Sequence, residues 1–212
     1  IKIIGSNIDV GRGQIDMQST YNPAELNWEG IDVLLECTGV HNSKEASIIH
    51  LENGAKKVLL SAPGKNVDKT VVYGVNHKEL RSDDLIVSNA SCTTNCLAPI
   101  AKVLNDAIGI ENGIMTTIHS YTGDQPTLDK KHSDLYRSRA AAMSMIPTST
   151  GAAKAVSLVL PELSGKLDGS AIRVPTPNVS CVDLTFQASK DTNIKEVNLA
   201  IKNIAETSMK GV

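Results

Sequence analysis

A cysteine stands where a short apolar segment gives way to a helical pattern, which is a suitable position for a reactive thiol. Leu85–Val87 is typical of the end of a buried strand, and Ala98–Ile108 carries apolar residues at helical spacing. Cys92 therefore lies at the predicted start of a helix, where free backbone N–H groups favour a thiolate. The hydroxyls of Ser91 and Thr93 flank it and can hold a substrate oxygen or a phosphate. The sequence thus predicts a nucleophile at Cys92.

Other polar side chains at predicted element ends suit the same chemistry. His119 ends a β-branched strand pattern, and an imidazole can take the proton of a thiol and return it during turnover. Arg173 ends a second apolar strand, where its guanidinium can bind phosphate or carboxylate through two parallel hydrogen bonds. Thr150 and Gly151 open the helix predicted for 151–160, whose first N–H groups can bind an anion. From the residues alone, a Cys–His hydrolase or acyltransferase is also compatible with this dyad.

Composition excludes several classes of function. The 212 residues are 41% hydrophobic and 21% charged, with a formal net charge of −2. This balance is typical of a globular protein and gives no electrostatic basis for binding nucleic acid or an anionic membrane. No apolar run approaches the roughly 18 residues of a membrane span, and no signal peptide is recognisable. The four cysteines do not suggest a disulfide framework, and from them we expect a reducing, cytoplasmic setting.

The cysteines and histidines do not suggest a metal site. Cys37 and Cys181 lie in apolar strand patterns and are predicted to be core residues, while Cys96 follows Cys92 by one helical turn and is expected to pack beside the site. The spacing of the four cysteines is neither that of a zinc site nor that of a disulfide framework. The remaining histidines lie in polar segments and are expected to be exposed: His41, His50, His77 and His132.

The order of predicted elements indicates an α/β protein with two parts. Residues 1–91 contain a hairpin with a turn at 11–13, then strands at 31–35, 57–60, 71–75 and 85–87 and a helix at 43–52, which suits part of a Rossmann-like parallel sheet. Residues 92–212 contain strands at 113–119, 170–174 and 179–188 and a helix from 193 to about 205, which suits an α+β domain with a mixed or antiparallel sheet. The long connection 120–147 is weakly helical only at 140–145.

Four separated motifs resemble phosphorylating glyceraldehyde-3-phosphate dehydrogenase of the bacterial type. They are Ser88–Pro99 (SNASCTTNCLAP), Thr116–Gln125 (TTIHSYTGDQ), Pro147–Lys154 (PTSTGAAK) and Arg173–Ser180 (RVPTPNVS). The resemblance covers nearly the whole chain. It implies that 1–91 is the latter part of an NAD-binding domain, that 92–212 is the first part of the catalytic domain, and that the chain is a fragment.

The resemblance also implies roles for individual residues. Cys92 would form a thiohemiacetal and then a thioester, with His119 as its proton acceptor. Arg173 and Thr122 would hold the phosphate of the substrate. The attacking inorganic phosphate would be held by Ser91, Thr93, Thr150 and Gly151. Arg137 falls where the family has a further phosphate-binding arginine, although the register of the loop leaves Arg139 as an alternative.

The same resemblance implies a dinucleotide cofactor and an oligomer. Thr38 and Ser61 follow two predicted strands, in turns that contact NAD in the family, and no metal is implied. The sequence leaves the choice between NAD and NADP open. The family forms homotetramers, and its long connecting loop, here 120–147, lines the cofactor site and a subunit interface. Two alternatives stay open, namely a paralogue that oxidises erythrose 4-phosphate and an inactive fragment that acts as a folding or interaction module.

Overall fold

The computed structural model describes all residues from 1 to 212 and contains eleven strands and four α-helices. The strands are β1 (Lys2–Ile4), β2 (Asn7–Asp9), β3 (Gln14–Asp16), β4 (Leu34–Glu36), β5 (Val58–Leu60), β6 (Lys69–Thr70), β7 (Ile86–Ser88), β8 (Ile110–Ser120), β9 (Ile146–Ser149), β10 (Leu167–Val174) and β11 (Cys181–Ala188). The helices are α1 (Lys44–Glu52), α2 (Cys92–Ile108), α3 (Ala152–Ala155) and α4 (Ile194–Glu206). Short 3₁₀ turns lie at 23–25, 77–79, 136–138, 156–158 and 161–163.

The first seventeen residues form a three-stranded antiparallel meander in the order β1-β2-β3 rather than the predicted hairpin. The turn at 11–13 joins β2 to β3, whereas it was expected to follow β1. The sequence did not predict the middle strand, because the alternation of apolar residues that marks a strand is weak across the polar residues Ser6 and Asn7.

A small parallel sheet follows, in the order β4-β5-β7-β6, as the sequence predicted for this part of the chain. Helix α1 connects β4 to β5 and begins at Ser43, whose side chain accepts a hydrogen bond from the backbone N–H of Ala46. The strand predicted at 71–75 is wrong, because the ladder covers only Lys69 and Thr70 before the chain turns. Asn76 stabilises that turn by accepting from the N–H of Val72 and donating to the carbonyl of Thr70.

The second sheet is mixed, in the order β11-β8-β10-β9, as expected for an α+β domain. Strands β8 and β10 are parallel, and β9 and β11 pair antiparallel to them at the two edges. The larger hydrophobic core packs α2 and α3 against this sheet around Leu97, Met115 and Val156. A smaller core lies beneath the parallel sheet around Val58 and Leu60. The domain division at 91/92 stays a prediction.

The long connection between β8 and β9 folds back on itself without an α-helix. The helix suggested at 140–145 is absent, and these residues form a turn in which the N–H of Ala141 donates to the carbonyl of Pro126. The helix predicted over 151–160 is shorter than expected, since α3 passes into a 3₁₀ turn at Val156. Helix α4 begins at Asn193, as its capping pattern predicted. Among the helices of this chain there is none with the length and hydropathy required to span a membrane.

Candidate active site

The nucleophile candidate lies where the sequence placed it, at the first residue of α2. Ser91 is the N-cap, and its hydroxyl accepts a hydrogen bond from the N–H of Thr94. The residue before the cap, Ala90, has φ +57, a backbone strain of the kind that is found at functional sites. Buried Ser88 supports this segment by accepting from the N–H groups of Ala90 and Gly64. Cys92 therefore stands at a fixed, exposed helix start.

His119 faces the cysteine across the edge of the mixed sheet. Its Nε2 lies 3.3 Å from Cys92 Sγ, and its Nδ1 lies 2.6 Å from the carbonyl oxygen of Ser120. Because a carbonyl oxygen can only accept, Nδ1 carries a proton, and Nε2 of the neutral ring is free to accept the thiol proton. The N–H of Ser120 donates to Ser180 Oγ at 3.0 Å, which fixes the backbone that orients the ring. The pair can thus exchange one proton without moving.

The parallel pairing of β8 and β10 puts Arg173 beside His119. The two residues are register partners, and Arg173 Nη1 donates to the carbonyl of Ser120 at 3.2 Å and to Thr122 Oγ1 at 3.1 Å. Burial, together with the nearby guanidinium of Arg137, lowers the pKa of Arg173 from its usual value, while Asp124 and Cys92 act in the opposite direction. Its Nε is buried and has no hydrogen-bond partner. An anion in the cavity would satisfy this donor.

Arg137, rather than Arg139, lies at the cavity. Its guanidinium donates to Asp124 Oδ2 at 2.8 Å, to Thr148 Oγ1 at 3.1 Å and to the carbonyl of Ser149 at 3.2 Å. Arg139 is exposed and pairs with Asp129 Oδ2 at 3.1 Å, away from the cavity. Although burial alone would raise it, hydrogen bonds from Arg137 and His132 hold the pKa of Asp124 below its usual value. Asp124 is thus a charged support for Arg137.

These side chains surround a cavity of about 380 Å³. Eight of the predicted site residues line it: Ser91, Cys92, Thr93, His119, Arg137, Thr150, Gly151 and Arg173. Thr122 does not line the cavity itself, but its hydroxyl accepts a hydrogen bond from Arg173, which does. The hydroxyl of Thr150 accepts from the N–H of Ala152, so the short helix α3 begins at the cavity wall.

The cavity also contains residues that the sequence did not single out. Thr117 and Ser149 belong to its wall, and the buried hydroxyl of Thr117 has no hydrogen-bond partner. Thr117 precedes His119 by two residues on β8, so the alternation of side chains along a strand was the signal that could have found it. The hydroxyl of Thr117 adds a polar group on the same face as the imidazole.

The two predicted cofactor residues lie apart from the cavity, at the carboxyl edge of the parallel sheet. Thr38 follows β4 by two residues and Ser61 follows β5 by one, while Cys92 comes four residues after β7. The N–H of Ser61 donates to the carbonyl of Glu36 at 3.0 Å, which extends the ladder to that edge. Ligands of open parallel sheets bind at this edge. The segments that carry Thr38, Ser61 and Cys92 therefore lie side by side along the carboxyl edge of the parallel sheet.

The expected environments of several cysteines and histidines need correction, and His41, His77 and His132 are half-buried rather than exposed. Cys37 and Cys181 are exposed rather than buried, because the first follows the last residue of β4 and the second begins the edge strand β11. His50 is buried rather than exposed and bonds to Glu36 and Trp28. Cys96 is exposed as a residue, but its sulfur is partly buried. This burial raises the pKa of the Cys96 thiol, and the nearby thiols of Cys181 and Cys92 raise it further. No group of three or more His, Cys, Asp or Glu side chains is arranged to hold a metal ion.

Comparison with known proteins identifies the family of this chain. The family model described as "Glyceraldehyde 3-phosphate dehydrogenase, C-terminal domain" matches residues 91–212. A protein of Cereibacter sphaeroides named glyceraldehyde-3-phosphate dehydrogenase is 67% identical over 97% of this chain and 62% of its own length. Proteins of the same name are 64% identical in Xanthobacter flavus, over 100% of this chain and 64% of the relative, and 59% identical in Pseudomonas aeruginosa, over 92% and 59%. This chain spans about three fifths of the length of these curated relatives. The chain belongs to the glyceraldehyde-3-phosphate dehydrogenase family.

Proposed function

We propose that the chain carries the catalytic centre of a glycolytic enzyme that converts D-glyceraldehyde 3-phosphate, NAD and inorganic phosphate to 1,3-bisphosphoglycerate and NADH. The proposal rests on the 3.3 Å separation of Cys92 Sγ and His119 Nε2 in a cavity that two arginines border. A thiol–imidazole pair suits attack on an aldehyde carbon, and the guanidiniums suit a phosphorylated aldehyde. The names of the relatives support this choice over a Cys–His hydrolase.

The reaction begins with proton transfer from Cys92 to His119 Nε2. The sulfur then adds to the aldehyde carbon, and the imidazolium returns its proton to the new oxygen, which gives a thiohemiacetal. The backbone N–H of Cys92, free at the start of α2, and the imidazolium steady the negative charge on that oxygen as it forms.

Oxidation and release follow on the same sulfur. NAD, when bound, accepts the hydride. His119 takes the hydroxyl proton of the thiohemiacetal as the hydride leaves, and a thioester remains on Cys92. An oxygen of inorganic phosphate then attacks the thioester carbon, the carbon–sulfur bond breaks, and the thiolate is restored with release of the acyl phosphate.

Two anion positions beside one sulfur suit this sequence of steps. Arg173 and Thr122 would hold the phosphate that the substrate already carries, because the unpartnered Nε of Arg173 is a donor in need of an acceptor. Thr93, Thr150 and Gly151 would hold the attacking phosphate on the other side. Ser91 would contribute less than expected, since its hydroxyl already caps α2. Arg137, supported by Asp124, would add positive charge.

The edge of the parallel sheet fits a dinucleotide. Thr38 and Ser61 would contact it, because their turns follow the carboxyl ends of neighbouring parallel strands. Gly39 in the first turn has φ +72, and a Cβ placed on it would meet nothing within 4 Å, so the outer side of the turn is open. We propose NAD rather than NADP, together with a homotetramer in the cytoplasm, from the family resemblance.

The test is a rate measurement on the complete protein that carries this chain. Formation of NADH should require D-glyceraldehyde 3-phosphate and inorganic phosphate, and it should be faster than with NADP or with erythrose 4-phosphate. Cys92→Ser should abolish it, whereas Cys96→Ser, one turn along α2, should retain it. Faster oxidation of the four-carbon aldehyde, or ester hydrolysis that needs no cofactor, would overturn the assignment.

A further inference from the structure

A buried chain of hydrogen bonds leads from the interior to the open turn after β4. The indole Nε1 of Trp28 donates to His50 Nδ1 at 3.2 Å, and His50 Nε2 lies 3.2 Å from Glu36 Oε2. An indole N–H can only donate, so Nδ1 accepts, and a neutral His50 carries its proton on Nε2 and donates it to Glu36. His50 is 3% exposed and Glu36 is 6% exposed. The roles of all three groups are therefore determined.

The other oxygen of the same carboxylate holds the turn. Glu36 Oε1 accepts from the N–H of Thr38 at 2.6 Å and from its hydroxyl at 2.5 Å. The hydroxyl oxygen of Thr38 in turn accepts from the N–H of Val40 at 3.1 Å. The segment Thr38–Val40 is thus fixed from below by one buried side chain.

This arrangement is costly as a purely structural element. A carboxylate removed from water loses hydration that a neutral histidine and a threonine replace only in part, and an apolar cluster of the same size is often no less stable. Its three members come from separate places along the chain, namely the segment before β4, helix α1 and the end of β4. They meet beneath one of the two turns at this sheet edge that the proposed function assigns to the cofactor, the turn of Thr38. Their convergence beneath this turn suits a role in shaping it.

We propose that Glu36 is a positioning residue for the dinucleotide, which it serves by holding Thr38–Val40 in the shape that the cofactor contacts, with His50 and Trp28 orienting its carboxylate. The proposal rests on the proposed function, since it requires that the cofactor bind at this turn. Its expected signature is a loss of cofactor affinity that leaves the aldehyde site intact.

The experiment measures the Kd of NAD by calorimetry, with steady-state kinetics, on the complete protein. Glu36→Gln replaces an acceptor with an amide whose N–H₂ faces other donors, so the Kd and the KM for NAD should rise about 10- to 100-fold. The KM for the aldehyde and the rate of Cys92 alkylation should change little. Glu52→Gln, an exposed carboxylate at the end of α1, is the matched control and should leave the Kd unchanged.

A second variant separates positioning from folding. If Glu36 acts through Thr38, Thr38→Val should weaken NAD binding as well, and the double variant should be no weaker than Glu36→Gln alone. Additive losses, or a lower Tm with an unchanged Kd, would overturn the proposal. If Glu36→Gln does not fold, Thr38→Val at the exposed turn decides, and an unchanged Kd then overturns it. Absence of NAD binding in the unmodified protein would instead refute the proposed function, so the two failures are distinguishable.

Discussion

Replacement of Arg173 by lysine tests the anion site directly. Nη1 of Arg173 donates hydrogen bonds to the carbonyl of Ser120 and to Thr122 Oγ1. Nη2 and the unpartnered Nε are therefore free to donate to a bound phosphate. A lysine keeps the charge, but its single nitrogen cannot reach the Ser120 carbonyl and the phosphate together. Loss of one hydrogen bond to a charged group costs about 1.5 to 3 kcal/mol. We therefore expect kcat/KM for the phosphorylated aldehyde to fall roughly 10- to 150-fold.

The assay is NADH formation at subsaturating aldehyde, with thermal unfolding as a check on folding. Arg139→Lys is the control, because Arg139 is exposed and pairs with Asp129 outside the cavity. The rate of Cys92 alkylation should be similar in both variants, since both keep the positive charge and neither arginine hydrogen-bonds directly to Cys92 or to the His119 ring. The reasoning is refuted if Arg173→Lys keeps kcat/KM within about twofold of the unmodified protein, or if Arg139→Lys loses as much.

Three further outcomes follow from the same structure. Iodoacetamide at neutral pH should label Cys92 before Cys96, because the raised pKa of Cys96 leaves less thiolate there, and peptide mapping that finds Cys96 first would contradict this. Asp68→Asn should cost about 1 to 3 kcal/mol at pH 7 by urea unfolding, since its carboxylate pairs with Lys44 and accepts two backbone N–H groups. Burial alone would raise the pKa of Asp68, but these partners lower it from 3.8. The stability that Asp68 contributes is therefore present above pH 3.8 and is lost as the pH falls through the lower pKa of the folded state. A difference in unfolding free energy between variant and parent that persists at acid pH would contradict this. Finally, β4 is an edge strand of its sheet and Leu35 is 63% exposed, so these 212 residues alone should self-associate. Leu35→Lys should reduce the self-association that size-exclusion chromatography detects. A parent chain that elutes as a single monomeric species would refute this prediction.

Local signals in the sequence were sufficient to place the two central residues of the candidate site at the ends of secondary-structure elements. An apolar strand, a run of small polar residues and an amphipathic helix identified the position of Cys92, and the β-branched strand before His119 identified its partner. Their 3.3 Å contact could not be read from the residues themselves, since it depends on the packing of α2 against the mixed sheet. The resemblance to a family supplied that pairing in advance.

Burial of individual polar residues was the least predictable property. His50 lies in the segment KEASIIHLE, whose polar composition gave no sign that its ring contacts Glu36 and Trp28, which are 14 and 22 residues away along the chain. Cys37 and Cys181 were predicted to be buried and are exposed. Apolar neighbours in a strand do not tell whether that strand is central or at the edge of its sheet, and β4 and β11 are both edge strands. Such properties depend on contacts between distant segments, which periodicity does not encode.

The close approach of β8 and β10 makes the alignment of the candidate site depend on a residue outside the cavity. A Cβ placed on Gly169 would lie 2.4 Å from the carbonyl oxygen of Met115, so even alanine would force the strands apart. The same ladder holds His119 and Arg173 as partners four residues further along. A side chain at position 169 would therefore displace His119 and Arg173 together, and a substitution at this glycine should impair turnover although no residue of the candidate site has been replaced.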